Sequence, residues 1–348
     1  MLIFVPGYPA KKKLKMEQGK STFRAFRVEE QEGRFTGSVQ EMEFRSPGDN
    51  ELLVKVHYSS LNYKDALSAS GNRGVTRRYP HTPGIDAAGI IVESTSEDFT
   101  AGEKVIVTSY DLGMNTDGGF AGYIQVPSDW AVKLPEKLTL KEAMIYGTAG
   151  LTAGISVSRL TEQVKPEAGK IAVSGATGGV GALSVAILNK LGYEVVAITG
   201  KEVEREYLKQ LGATEVVLRS EVEDLLRRPL LKSVYAGAID TVGGVILENI
   251  IKSTGVRGVV TCCGNVASPE IALTVYPFIL RGVSLVGIAT QDYPMKHRKI
   301  VWNKLADEWK PGQLHDTFQE IELEEVQRRI ELMLEGKLKR RTVLTLTE

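Results

Sequence analysis

The chain has 348 residues, of which 43% are hydrophobic, so it is long enough for two domains that each bury a core. Its 43 Lys and Arg residues equal its 43 Asp and Glu residues, which removes the electrostatic reason to expect a nucleic acid or an acidic membrane as partner. No apolar run reaches the roughly 18 residues of a membrane span. The two cysteines, Cys262 and Cys263, are adjacent, which excludes a disulfide framework and favours a cytoplasmic location.

The chain begins with a segment unlike the rest. In residues 1–21 a short apolar patch, LIFVP, is followed by a lysine run and polar residues. We expect a flexible extension there, with a short targeting or docking arm as the alternative.

Residues 22–146 have the pattern of short strands. The segment LLVKVHYSS alternates apolar with polar residues, and the segments GIIVES, KVIVTS and GYIQVP are bounded by Gly, Pro and Asp. This pattern predicts an antiparallel, barrel-like β domain. Near its end Thr139 and Glu142 have the spacing of a capping box, which predicts a helix and places the domain boundary close by.

Residues 147–290 alternate strand and helix patterns. Such alternation predicts a doubly wound parallel sheet of the Rossmann type, so the fold class is α/β. The tail, residues 291–348, starts as a helix and ends in the strand-like RRTVLTLTE, which suggests that the chain returns to complete the first domain. The six predicted strands are KIAVSG, EVVAIT, EVVLR, AGAIDTV, GVVTCCG and SLVGIA.

A glycine-rich turn, SGATGGVG, follows the first of these strands and precedes a helix. A dinucleotide pyrophosphate needs such a turn, because side chains would block its approach to the helix N-terminus. The glycines are Gly175, Gly178, Gly179 and Gly181, with a tight strand-to-helix packing as their purely structural alternative.

The second strand indicates which dinucleotide is bound. It ends in Thr199-Gly200-Lys201, where enzymes that use NAD usually place an acid to hold the ribose 2′-hydroxyl. A hydroxyl and a cation suit a 2′-phosphate instead, so we predict NADPH as the cofactor. Arg219, at the end of the third strand, is a second candidate ligand for that phosphate.

Several segments form a recognisable set along the chain. They are SSLNYKDAL, PHTPGIDAAG, MIYGTAGLTA, the glycine turn with its two strands, EYLKQLGA, AGAIDTVGG and YPFILRGVSLVGI. In these segments the sequence resembles the medium-chain dehydrogenase/reductase superfamily, and within it the zinc-free, NADPH-dependent acrylyl-CoA reductase branch, whose members are often labelled quinone oxidoreductases. The resemblance implies a GroES-like catalytic β domain beside the Rossmann domain, and a homodimer.

The resemblance also bears on metal use. Zinc-dependent relatives have Gly-His-Glu where this chain has Gly84-Ile85-Asp86, and Ile85 has no atom that can ligate zinc. We therefore expect no metal site, and reduction of a double bond that is already activated.

The activity implied is hydride transfer from NADPH to the β-carbon of an α,β-unsaturated thioester, such as acrylyl-CoA. By resemblance, Tyr63 lies beside the nicotinamide and the cofactor phosphates and is a candidate proton donor, and Asn62 positions a substrate or loop carbonyl. A core tyrosine is the structural alternative for Tyr63. Other cofactor contacts implied are Thr177, Gly178, Gly179, Val180, Asn265, Ile279 and Thr290.

Acyl-CoA phosphates need cations. Lys296, Arg298 and Lys299 lie at a predicted helix start, where the helix dipole disfavours positive charge, so we predict that they bind the CoA phosphates. Their structural alternative is a solvated surface. Two other functions stay open at this point, a quinone or enone reductase and a non-catalytic NADPH-binding module.

Overall fold

The computed structural model describes residues 22–223 and 228–346. Within them, a six-stranded parallel sheet, a seven-stranded sheet and a two-stranded hairpin carry the fold. The predicted extension, residues 1–21, lies outside the described residues. No helix in the described part of the chain is long and apolar enough to cross a membrane.

The first part of the described chain is mostly β structure, as its alternating pattern predicts. The four segments that were predicted as strands all form strands, and the longest of these strands contains LLVKVHYSS. The elements are β1 (Thr22–Gln31), β2 (Arg34–Glu43), β3 (Glu51–Leu61), α1 (Tyr63–Ala69), β4 (Asp86–Ser94), β5 (Lys104–Thr108), β6 (Tyr123–Pro127) and β7 (Ala131–Lys133).

A long helix, α2 (Leu140–Thr161), follows the β structure and begins with the predicted capping box. The Thr139 hydroxyl accepts a hydrogen bond from the Glu142 N–H, and the Glu142 carboxylate accepts one from the Thr139 N–H. The helical conformation is interrupted at Gly147, whose φ of 52° and ψ of −154° suit glycine alone.

The six predicted strands of the second half form one parallel sheet in the order β10-β9-β8-β11-β12-β13. The Rossmann prediction is thereby confirmed. The direction of strand addition reverses between β8 and β11, which is where such sheets bind their ligands. The elements are β8 (Ile171–Ser174), α3 (Gly179–Lys190), β9 (Val195–Thr199), α4 (Arg205–Gln210), β10 (Glu215–Leu218), α5 (Arg219–Glu223), β11 (Tyr235–Asp240), α6 (Gly244–Ser253), β12 (Thr254–Cys262), α7 (Tyr276–Arg281) and β13 (Ser284–Gly287).

The tail returns to the first sheet. Its last strand pairs antiparallel with β3, so the seven-stranded sheet has the order β14-β15-β3-β4-β5-β7, with β6 paired to β3. The domain limits drawn from sequence stay predictions, since α2 continues across the first of them. The tail elements are α8 (Met295–Ala306), β14 (Phe318–Ile321), α9 (Val326–Leu334) and β15 (Arg341–Thr345).

A shared hydrophobic core joins the two sheets through α2. One cluster of buried side chains runs from Ile106 on β5, through Leu151 on α2, to Val173 on β8 and Trp302 on α8. Buried Tyr146, also on α2, donates its hydroxyl to the Leu305 carbonyl at 3.0 Å. Helix α2 therefore fixes the seven-stranded sheet against the Rossmann sheet.

Candidate active site

The glycine turn leaves the N-terminus of α3 uncovered. Gly175 has a φ of 58°, and a Cβ on it would lie 2.3 Å from the Thr241 Oγ1 atom. A Cβ on Gly181 would lie 2.3 Å from the Gly175 carbonyl oxygen. Side chains are thus excluded by packing as well as by backbone conformation. The first N–H groups of α3, which have no partner within the helix, are open to a phosphate, so the turn fits a dinucleotide pyrophosphate.

The residues predicted for the adenosine end lie together around Gly200. The Thr199 hydroxyl is buried and accepts the Lys201 N–H at 3.0 Å. The exposed Arg219 guanidinium carbon is 3.7 Å from where a Gly200 Cβ would be, and its Nε is 3.3 Å from the Glu223 carboxylate. The Lys201 Nζ donates to the Leu338 carbonyl at 3.1 Å. Lys201 is therefore not a freely solvated charge.

Tyr63 is the first residue of α1, and its side chain faces outward. It is 49% exposed, which rules out the core-tyrosine alternative. Its hydroxyl is hydrogen-bonded to none of the residues that the structure describes. The phenol is thus available to a cofactor or a substrate, and the contacts predicted for Tyr63 stay a prediction.

The side-chain amide of Asn62, by contrast, is hydrogen-bonded at both its nitrogen and its oxygen. Its Nδ2 donates to the Asp86 Oδ2 at 2.7 Å and to the Ser60 carbonyl at 3.2 Å, and its Oδ1 accepts from the Arg341 Nη1 at 3.1 Å. With each end of the amide engaged inside the protein, the geometry makes Asn62 a positioning residue for α1.

A buried carboxylate, Asp86 on β4, lies at the centre of these contacts. It is fully buried and accepts hydrogen bonds from the Ser60 hydroxyl at 2.6 Å, the Thr148 hydroxyl at 2.6 Å and the Thr148 N–H at 2.9 Å. The Arg341 Nη2 lies 3.7 Å from it. Sequence reasoning considered Asp86 only as a departure from a zinc motif and missed this network.

Arg341, at the start of β15, is the buried cation of the network and was also missed. It donates to the Ser60 hydroxyl at 2.7 Å, to the Leu61 carbonyl at 3.0 Å and to the Ile145 carbonyl at 3.2 Å. Burial lowers the pKa of Arg341, and the nearby aspartates oppose this. Its alkyl chain borders the glycine turn, because a Cβ on Gly179 would lie 2.8 Å from the Arg341 Cδ.

Asp65 is buried in the first turn of α1. Burial, together with the negative charge of Asp86, raises the pKa of Asp65 to about 7. Its carboxylate accepts the Asn62 N–H at 2.7 Å and the Ile85 N–H at 2.8 Å. These bonds hold the start of α1 against the chain before β4, so Asp65 is a structural cap.

The three cations predicted at the start of α8 differ in burial. Arg298 is fully buried and donates to the Thr108 carbonyl at 2.7 Å and to the Thr290 carbonyl at 2.9 Å. The prediction that Arg298 binds CoA phosphates is wrong, since its guanidinium is used inside the protein. Lys296 and Lys299 are exposed, and their role stays a prediction.

The remaining predicted cofactor contacts lie on separate elements. Thr290, after β13, is buried, and its hydroxyl is 2.9 Å from that of Thr152 on α2. Asn265 is exposed in the loop after β12, and Ile279 is 67% exposed on α7. Thr177 and Val180 lie within the glycine turn and are partly exposed.

Two family models match the chain, one over each sheet. The model described as alcohol dehydrogenase GroES-like domain matches residues 48–136, and the one described as zinc-binding dehydrogenase matches residues 179–307. Among the described residues, no group of three or more His, Cys, Asp and Glu side chains forms a metal-binding cluster.

Individual relatives cover nearly the whole chain. "Putative quinone oxidoreductase YhfP" of Bacillus subtilis is 43% identical over 326 residues, which is 93% of this chain and 99% of the relative. Its crystal structure with NAD bound has a TM-score of 0.91 at 42% identity, over 94% of this chain and 100% of that one. "Probable acrylyl-CoA reductase AcuI" of Escherichia coli is 40% identical over 322 residues, 92% of this chain and 99% of the relative. The crystal structure of E. coli K-12 YhdH with bound NADPH has a TM-score of 0.89 at 40% identity, over 93% of this chain and 100% of that one.

These matches establish the family. The chain belongs to the medium-chain dehydrogenase/reductase superfamily, in its zinc-free branch, and is an oxidoreductase. The predicted combination of a GroES-like domain with a Rossmann sheet is confirmed.

Gly147 offers a direct test of the buried network. A Cβ there would lie 2.4 Å from the Asp86 Oδ2, 2.5 Å from the Ser60 Oγ and 2.7 Å from the Arg341 Nη2. We expect Gly147→Ala to lower the free energy of unfolding by about 3 kcal/mol or more, because a strained backbone and a steric clash add. Urea denaturation measures this.

Gly336→Ala is the matched control. Gly336 also has a positive φ, 69°, but nothing lies within 4 Å of its Cβ position. Its substitution should cost only the backbone term, about 1 kcal/mol. Equal losses in the two variants would show that the network does not require a glycine at position 147.

Proposed function

We propose that the protein reduces the activated C=C bond of an α,β-unsaturated acyl-CoA with NADPH, with acrylyl-CoA to propionyl-CoA as the leading reaction. The observation that supports this best is that the polar atoms of Asn62, Asp86 and Arg341 are engaged inside the protein and are not free to activate a substrate. A substrate whose own carbonyl activates its double bond suits such a site. The relationship to the acrylyl-CoA reductase of E. coli, at 40% identity, supports the same substrate class.

The protein's part begins with orienting the cofactor. The open N-terminus of α3 would hold the pyrophosphate, and Thr199, Lys201 and Arg219 would hold the 2′-phosphate. Burial lowers the pKa of Lys201, and Glu204 opposes that effect. A doubly charged phosphate beside Lys201 would favour its ammonium form further. When bound, NADPH supplies the hydride.

The substrate is placed by groups on the β structure and on α8. Reduction at the β-carbon moves negative charge to the thioester oxygen, and the α-carbon then takes a proton. In this proposal the phenol of Tyr63, which is 49% exposed, hydrogen-bonds the cofactor or the acyl group. Lys296 and Lys299 bind the CoA phosphates in this proposal, without Arg298.

A quinone or enone oxidoreductase is the second candidate. It is favoured by the 43% identity to the B. subtilis relative, whose name describes a quinone substrate. It would use the same cofactor site, but it would not need Lys296 and Lys299.

A homodimer is the assembly we propose. Strand β13 is an edge of the parallel sheet, and its Leu285 is 38% exposed. Beside it, α7 exposes Tyr276 at 45% and Leu280 at 63%. An apolar edge of this kind suits pairing with the same edge of a second copy.

The substrate is tested by measuring NADPH oxidation with acrylyl-CoA, crotonyl-CoA and a soluble benzoquinone. We expect the largest kcat/KM with acrylyl-CoA. The double variant Lys296→Ala with Lys299→Ala should raise the KM for acrylyl-CoA and leave that for the quinone unchanged, because only the former carries phosphates. High quinone turnover without acrylyl-CoA activity would replace our proposal with the second candidate.

Cofactor preference is tested by Lys201→Ala and Arg219→Ala. Each should raise the KM for NADPH by about 10- to 100-fold, the worth of one charge-assisted contact, and leave the KM for NADH nearly unchanged. Lys209→Ala is the control, since Lys209 is exposed and pairs with Glu206 on α4. Equal use of NADH and NADPH by the unaltered protein would overturn the assignment of these residues.

The assembly is tested by light scattering during size-exclusion chromatography. We expect the unaltered protein to have twice the chain mass of 38.1 kDa. Leu285→Glu should shift the measured mass towards that of the monomer, because buried like charges would face each other across the edge. Val203→Glu, at a position 81% exposed away from this edge, should remain dimeric. A monomeric unaltered protein would contradict the proposal.

A further inference from the structure

Lys64 is a cation within the segment SSLNYKDAL to which the sequence assigned no role. It follows Tyr63 on α1 and is half-buried. Its Nζ donates to the Gln291 Oε1 at 2.9 Å. This hydrogen bond runs from the β structure to the segment after β13, the last strand of the Rossmann sheet. The ammonium therefore lies between α1 and the segment that follows the Rossmann sheet.

The segment that holds Lys64 is itself fixed from behind. The Arg298 guanidinium donates to the Thr290 carbonyl at 2.9 Å, and the Tyr110 N–H donates to the Gln291 carbonyl at 3.0 Å. With its backbone held on that side, Gln291 is exposed and presents its side-chain oxygen to Lys64. The ammonium keeps two further N–H groups for other partners.

The partial burial of Lys64 favours its neutral form. Burial lowers the pKa of Lys64, while the negative charge of Asp65 on the same helix opposes that effect. The facing segment contributes Gln291, which is uncharged, and its acidic neighbour Asp292. The Arg298 guanidinium lies behind this segment. An ammonium of lowered pKa gives up a proton more readily than a solvated lysine does.

The other polar groups of the site are less suited to this task. Asn62 is bonded at both ends of its amide, and Arg341 is buried and does not release a proton in proteins. Asp65 accepts two backbone N–H groups. Tyr63 is the remaining candidate, and the experiment below separates it from Lys64.

We propose that Lys64 is the general acid of the reduction, a catalytic role that rests on the proposed function. As hydride arrives at the β-carbon, the electron pair of the C=C bond moves towards the thioester oxygen. The enolate then takes a proton from Nζ to form the new C–H bond at the α-carbon. The neutral amine regains a proton from water. One hydride and one proton are thus added, and no other reactant is needed.

Three variants test this role with acrylyl-CoA and NADPH. Lys64→Met should lower kcat by about 100-fold or more, the usual worth of a general acid. Lys64→Arg should lose a similar factor, because it keeps the charge but does not give up its proton. Gln291→Ala should lose less than about tenfold, since it removes the anchor and keeps the acid.

The pH profile separates an acid from a merely structural lysine. In the unaltered protein kcat should fall as pH rises through the pKa of Lys64, because the neutral amine has no proton to give. This basic limb should persist in Gln291→Ala and be absent from Lys64→Arg. A limb that survives in Lys64→Arg and disappears in Tyr63→Phe would overturn the proposal in favour of the phenol.

A second readout does not depend on turnover. Competitive acetylation of the protein over a range of pH, followed by peptide mass spectrometry, reports the titration of each amine. Lys64 should titrate at a lower pH than a free lysine side chain does. Titration at the pH of a free lysine side chain, with full activity in Lys64→Met, would refute the role. If the unaltered protein does not reduce acrylyl-CoA, the proposed function fails, whatever the acetylation shows.

Discussion

The buried pairing of Asp86 with Arg341 is the constraint on which the rest of the site depends. Asp86 brings together β3, β4 and the bend in α2, and Arg341 attaches the start of β15 to the same point. Removing one partner of a buried pair costs about 3–5 kcal/mol, because the other charge is left without compensation in a medium of low polarity. Gly147 is required there because no side chain fits among these atoms.

The same network sets the geometry of the chemistry. Through Asn62 it fixes the N-terminus of α1, and through the alkyl chain of Arg341 it borders the glycine turn. Tyr63 and Lys64 follow Asn62 directly on α1, so the same contacts fix their backbone. Most of the other polar side chains described there are hydrogen-bonded within the protein.

Much of the fold was readable from sequence because its signals are local. The strand alternation of β3, the capping box at Thr139 and the glycine turn each depend on neighbours in the chain, and each was predicted. Asp86 and Arg341 were missed because they are far apart in sequence and meet only through folding. Arg298 was misread as a surface cation, since a charge run does not reveal which member turns inward. Strand β14 has too short a pattern to be recognised without its partner β15.

The fate of hydrogen tests the account's central claim most directly. Acrylyl-CoA is reduced with NADPH that carries deuterium at the transferred position, and separately with ordinary NADPH in D₂O, and the product is examined by NMR. Hydride transfer to the β-carbon predicts one deuterium on the β-carbon in the first case and one on the α-carbon in the second. Oxidation of NADPH without deuterium in the acyl chain, or with the two positions exchanged, would contradict the account.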